Sequence, residues 1–161
     1  MADRTVEAPL PPGSVVGILG GGQLGRMLAL AAARLGLRCH IFAPPGDNPA
    51  FDVAHAATEA RYDDHAALDR FSAAVDVVTY EFENVPVETA LHLRRSVPVA
   101  PSPEVLAVTQ DRIHEKSYVA GLEIPVPGFA AIDTAADLGP ALERLGRPAI
   151  LKTRRFGYDG K

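Results

Sequence analysis

The sequence is poor in cysteine: Cys39 stands alone, so no disulfide can close within the chain. Its apolar neighbours read as a buried strand, which makes it a small core residue of a protein kept in a reducing compartment. Positive charge is also short. Sixteen Lys and Arg against 20 Asp and Glu give a net charge of -4, and basic residues stand together only as the pairs Arg94-Arg95 and Arg154-Arg155. That excludes the broad basic footprint of a nucleic-acid binder, but not a small phosphorylated ligand held by local amide dipoles. Long apolar runs are missing as well. No segment approaches the roughly 20 residues needed to cross a bilayer, and Asp3 and Glu7 stand where a secretory signal would carry positive charge. The cytoplasm is the expected location. Internal repeats are absent, and Pro9, Pro11, Pro12 and Gly13 predict a disordered leader over residues 1–13.

What is present suffices for one domain and the start of a second: 161 residues, 47% of them hydrophobic. Val15 to Leu19 is a short apolar run ending in three glycines, and the Ala- and Leu-rich stretch from Gln23 to Leu35 follows, stopped by Gly36. This is strand, tight turn, helix. Leu37 to Phe42 predicts a second strand, ended by Pro44-Pro45-Gly46. Asp64 predicts a helix cap with the helix running to about Phe71. Val75 to Tyr80 is strongly β-branched and predicts a third strand. Pro86 suits the first turn of a helix reaching about Arg95, and Val97 to Ala100 predicts a short fourth strand. Alternating strands and helices require an open parallel α/β sheet over about 14–100. Residues 101–124 read as linking helices, the first capped by Ser102 and the second starting near Asp111. Residues 125–161, with strands at Phe129–Ile132 and Ala149–Lys152 around a helix from Thr134 to Leu145, read as the start of an α+β domain.

Gly20-Gly21-Gly22-Gln23-Leu24-Gly25 fits G-x-G-x-x-G. Glycines allow a tight turn and close backbone approach, and the helix behind them aims unpaired N–H groups at a guest, most naturally a phosphate. The structural alternative is that they only pack helix against strand. A dinucleotide site would want a carboxylate at the end of the second strand. Here Ile41-Phe42-Ala43-Pro44 stands instead, so a monophosphate fits better. After the third strand comes Thr79-Tyr80-Glu81-Phe82-Glu83-Asn84-Val85-Pro86, at the strand end where open α/β sheets bind ligands. One acid could turn inward toward an amine or ribose hydroxyls; equally, both could favour the start of the following helix. Spacing alone leaves the two readings even. The five histidines, at 40, 55, 65, 92 and 114, show no metal-ligand spacing.

Taken in order, Gly20 to Met27, Thr79 to Pro86, Gln110-Asp111-Arg112, Glu115-Lys116, and Lys152 followed by Gly157 to Lys161 resemble the N5-carboxyaminoimidazole ribonucleotide synthetase family of the ATP-grasp superfamily. Any one of these motifs is weak, but five in register are strong. The resemblance covers residues 14–161. It implies a Rossmann-like pre-ATP-grasp domain followed by the start of the ATP-grasp lid domain. It also implies carboxylation of aminoimidazole ribonucleotide with ATP and bicarbonate, by way of carboxyphosphate, in purine biosynthesis. Gly22, Gln23, Leu24 and Glu81 are then expected to bind the ribonucleotide. Arg112, Lys152 and the loop Gly157, Tyr158, Asp159, Gly160 and Lys161 are expected to meet ATP. Tyr158 and Asp159 are expected at the chemistry, Asp159 handling a proton of the attacking amine.

The resemblance further implies Mg2+ whose carboxylate ligands lie beyond Lys161, a homodimer, and no activity from these residues alone. Without the resemblance, Lys152 is a solvated strand-end charge, and Arg112 a partner for Glu115 three positions on. Other readings remain: a sister ATP-grasp ligase such as the formate-dependent glycinamide ribonucleotide transformylase or a biotin carboxylase, a nucleotide-binding module without catalysis, or an NAD-dependent oxidoreductase.

Overall fold

The computed structural model describes residues 8–157 and divides the chain into two units, residues 1–106 and 107–161. In the first unit, strands β1 (Val15–Leu19), β2 (Arg38–Ala43), β3 (Ala56–Glu59) and β4 (Val77–Tyr80) form one sheet in the order β3-β2-β1-β4, every pair parallel. β2 is buried at five of its six positions, the pattern of a parallel strand covered on both faces. Register and pleat sort the side chains. Ile18 pairs with Ile41 and Leu19 with Phe42, so successive residues point to opposite faces.

On one face, helix α1 (Gln23–Arg34) lays its small residues Gly25 and Ala29 toward the sheet, and Ala29 joins Ile18, Cys39, Ile41 and Ala50 in a core. On the other, α2 (His65–Ser72) and α3 (Val87–Arg94) bury Leu68, Phe71, Ala90 and Leu93 against Leu19, Phe42 and Val78. Asp64 caps α2 by accepting from the Ala67 N–H at 2.9 Å, as its position predicts. The α/β class expected from the sequence is the class observed.

Several elements differ from expectation. Strand β3 has no alternating or β-branched signal. It exists because its backbone completes the outer edge of β2, from His40 against Ala56 to Ala43 against Glu59. Val97–Ala100 makes only an isolated bridge, Val99 beside Val78. Pro98 and Pro101 supply no N–H, so a longer ladder cannot form there. Pro11–Gly13, inside the expected leader, are tied down: Gly13 N–H donates to Gly36 O at 2.7 Å and Ser14 N–H to Pro11 O at 3.1 Å.

Helix α4 (Pro103–Thr109) carries the boundary between the units. The second unit holds α5 (Arg112–Gly121), a 3-10 turn at Ala135–Asp137 and α6 (Leu138–Leu145). The expected strands at Phe129–Ile132 and Ala149–Lys152 do not form among the described residues. A strand exists only by pairing, and Ile150 and Leu151 stand 83% and 70% exposed with no neighbouring backbone in a ladder.

Because Leu68 is fully buried among Phe42, Phe71 and Leu93, Leu68→Ala should lower unfolding free energy by about 2–5 kcal/mol. Arg61→Ala removes only a fully exposed pairing with Asp63 and should leave the urea midpoint unchanged. Equal midpoints for the two variants would contradict the core described.

Candidate functional site

The sheet order reverses at β1, which has β2 on one side and β4 on the other. Such switch points open a crevice beyond the carboxyl ends of the strands. β1 and β4 end level, Leu19 paired with Tyr80, so the next residues are Gly20 and Glu81. The Glu81 N–H donates to Leu19 O at 3.2 Å, holding the two strand ends together one step further.

Gly20 has φ +120 and donates to Phe42 O at 3.0 Å. A side chain there would be strained, and it would overlap the Glu81 carboxylate, whose Cδ lies 2.8 Å from the place a Cβ would take. Gly25 has a packing reason: its missing Cβ would stand 2.6 Å from the Gly20 carbonyl oxygen. Together these two positions let α1 start directly on the strand end.

The Glu81 carboxylate lies against the turn, its Oε1 3.5 Å from the place a Gly22 Cβ would take, beside the residue preceding α1. α1 has no acidic residue in its first turn, so Glu81 supplies the negative charge that a helix N-terminus favours. The sequence suggested a phosphate for this corner; the structure places the chain's own carboxylate against the glycine turn. Glu81 is half-buried, and desolvation raises its carboxyl above the ordinary glutamate value. Glu83 adds to the rise, and the Gly22 N–H opposes it. Tyr62 is pushed up too, by burial and then by the Glu81 charge, so its hydroxyl stays protonated. A cleft of about 290 Å³ lies beside it, lined by Pro44, Arg61, Tyr62, Asp63 and Pro86.

Of the expected ribonucleotide ligands, Gly22 and Glu81 lie side by side, and Gln23 and Leu24 lie exposed on the first turn of α1. Two neighbours escaped the sequence reading. Asn48 donates from Nδ2 to Pro44 O at 2.9 Å and lies against Gly21, bracing the turn from the β2 side. Asn84 donates to Glu83 at 3.2 Å, while its side-chain oxygen is buried without a partner among the described residues. The Glu-Asn pairing was open to inspection in the sequence, but its burial was not.

In the second unit, Arg112 and Gly157 come together. The Arg112 guanidinium donates from Nε to Thr153 O at 3.1 Å and from Nη2 to Gly157 O at 3.4 Å, and its own N–H donates to Arg154 O. Asp111 caps α5 by accepting from Ile113 N at 2.8 Å, and the same carboxylate receives Arg154 at 2.8 Å. Hydrogen bonds from Arg154 and from these amides hold Asp111 below the usual carboxylate range against a desolvation that pushes the other way. Lys152 is exposed, one residue before Thr153. Tyr158, Asp159, Gly160 and Lys161, expected at the chemistry and the nucleotide, lie outside the described residues. No group of three or more His, Cys, Asp or Glu among the described residues could hold a metal ion.

Residues 14–110 match the family model described as the ribonucleotide synthetase pre-ATP-grasp domain. The chain is 51% identical to the bifunctional purine synthesis protein purC/E of Dictyostelium discoideum, over 94% of the chain and 15% of that protein. It is 49% identical to the N5-carboxyaminoimidazole ribonucleotide synthase of Brucella melitensis, over 96% of the chain and 43% of that protein. It thus spans less than half the length of these relatives. Among solved structures, the Aspergillus clavatus N5-carboxyaminoimidazole synthase in complex with ADP and 5-aminoimidazole ribonucleotide superposes with a TM-score of 0.75 at 28% identity, over 85% of this chain and 37% of that one.

Burial that raises Glu81 favours folding while the group is protonated, and that contribution is lost as pH rises through its folded value. Glu81→Gln should therefore gain stability relative to the parent as pH rises from the ordinary glutamate value, 4.5, toward neutrality, with no trend below it. Urea unfolding of both proteins across this range is the measurement, and a relative loss with rising pH would reverse the assignment.

Proposed function

Because this chain belongs to the family of ribonucleotide synthetase pre-ATP-grasp domains, we propose that it serves the ATP- and bicarbonate-dependent carboxylation of 5-aminoimidazole ribonucleotide, and that its first unit binds that ribonucleotide. The observation that carries the reading is Glu81 seated at the glycine turn, at the switch point of the sheet. A relative of the same architecture is known in complex with this ribonucleotide and ADP.

The chemistry proposed is a ligation in two steps. Bicarbonate oxygen attacks the γ-phosphorus of ATP, ADP leaves, and carboxyphosphate forms. The 5-amino nitrogen then bonds to the carboxyl carbon, or to CO2 released from it, as phosphate departs and the nitrogen loses a proton. Glu81, held against the glycine turn, offers an anionic acceptor to the donors of the substrate, its hydroxyls and amine. Such charge-assisted hydrogen bonds are roughly twice as strong as neutral ones. Phosphoryl transfer needs positioning and charge more than covalent help. Arg112, Lys152 and Gly157 are proposed to supply these on the nucleotide side, with Tyr158, Asp159, Gly160 and Lys161 completing the loop and Asp159 taking the amine proton. Mg2+ belongs to the proposal through the family resemblance alone. A homodimer and a cytoplasmic setting belong to the same proposal. No helix among the described residues is long and apolar enough to cross a membrane.

The test is ligand binding by the chain, read residue by residue in amide NMR spectra. Aminoimidazole ribonucleotide should shift Gly20 to Leu24 and Glu81, and glycinamide ribonucleotide should do so more weakly. Glu81→Gln should weaken binding about tenfold or more, the loss expected when one charged hydrogen bond worth roughly 1.5–3 kcal/mol is removed. Shifts confined to other residues, or equal binding of both ribonucleotides, would remove the proposal.

A further inference from the structure

Two histidines 27 positions apart meet where α2 packs on α3. His65 is the first residue of α2, next to the Asp64 cap, and His92 lies in the last turn of α3. Their Nδ1 atoms stand 2.9 Å apart, with ring centroids 4.5 Å apart and ring planes at 64°. On the far side of the second ring, His92 Nε2 meets Asp69 Oδ1 at 2.7 Å. The His92 side chain is 15% exposed, so its ring is clamped between the helices, while His65 is open to solvent. The platform is braced nearby, since Thr89 of α3 donates to Tyr62 O at 2.9 Å.

The contact has hydrogen-bond geometry, but not a head-on one. Rings aligned nitrogen to nitrogen at that spacing would put their centroids roughly 5.2 Å apart. The same two distances also fit two rings converging on one point. An ion about 2.05 Å from each nitrogen, with the two bonds at about 90°, places the nitrogens about 2.9 Å and the centroids about 4.5 Å apart. Cis positions at a right angle are those of a tetragonal ion. The Asp69 carboxylate behind His92 is the partner that metal-ligating histidines use to fix ring tautomer and orientation.

We propose that His65 and His92 form a two-imidazole site for a divalent ion of tetragonal preference, Cu2+ or Ni2+, bound through both Nδ1 atoms and oriented by Asp69. No third His, Cys, Asp or Glu joins the pair among the described residues, so water fills the remaining positions. The site is independent of the carboxylation proposed above, and an oxygen-preferring ion such as Mg2+ has no affinity for it.

Cu2+ and Ni2+ titrated separately into the untagged chain test this. The expected result is one saturable Cu2+ per chain, showing nitrogen coordination in its electron paramagnetic resonance spectrum, with Ni2+ weaker and no competition from excess Mg2+. Bound metal should also raise the melting temperature, because it ties α2 to α3 in the folded state only. His65→Ala, at an exposed position, should abolish both effects. Asp69→Asn should weaken binding about 10–100-fold, and His114→Ala should change neither. No saturable uptake by the parent, or uptake that survives His65→Ala, overturns the site. Unchanged affinity in Asp69→Asn overturns the role given to that carboxylate.

Discussion

The level ending of β1 and β4 is the constraint on which the site depends. Leu19 and Tyr80 pair, so the chain leaves the sheet at Gly20 on one strand and at Glu81 on the other, side by side. The acid then needs no long reach. Its carboxylate lies beside Gly22, and α1 receives at its start the negative charge it lacks from its own first turn. Shift β4 by one residue and every side chain on it changes face, Val78 leaves the core, and Glu81 no longer stands at the turn.

That arrangement also explains which parts were legible in the sequence. β1, the glycine turn and α1 read correctly because their signal is local: an apolar run, three glycines, then an alanine-rich helix. Strand β3 carried no such signal, since Ala56 to Glu59 is a strand only because β2 offers it an edge. Ala149 to Lys152 reads well as a strand by composition yet forms none here, because nothing pairs with it among the described residues. Local propensity is a weak prior when the ladder partner is far away in sequence.

The acidic strand end shows the limit more sharply. Its two carboxylates could be read as turned inward or as favouring the helix that follows. The structure divides them in a way spacing could not foresee. Glu81 serves the start of a helix, but of α1, some sixty positions earlier, while α3 has Glu88 in its own first turn and Glu83 stays exposed beside Asn84. Which helix a carboxylate serves is set by strand order, and strand order is not written in the spacing. The second unit repeats the point: Asp111 was legible as the start of a helix, but its second partner, Arg154, 43 positions on, was not.

A carboxylate held in that corner has a consequence for how a ribonucleotide can lie. Two unit negative charges about 4 Å apart repel by on the order of 4 kcal/mol at the effective dielectric of a protein surface, somewhat less where solvent reaches a half-exposed group. The desolvation that already raises Glu81 makes a second anion still less welcome. Under the function proposed, the phosphate of a ribonucleotide would lie away from the glycine turn and its hydroxyl and amine donors toward it, the reverse of the orientation that the glycine pattern suggests when Glu81 is left out. The G-x-G-x-x-G pattern here builds a seat for an acid, and in the function proposed that acid would read donors.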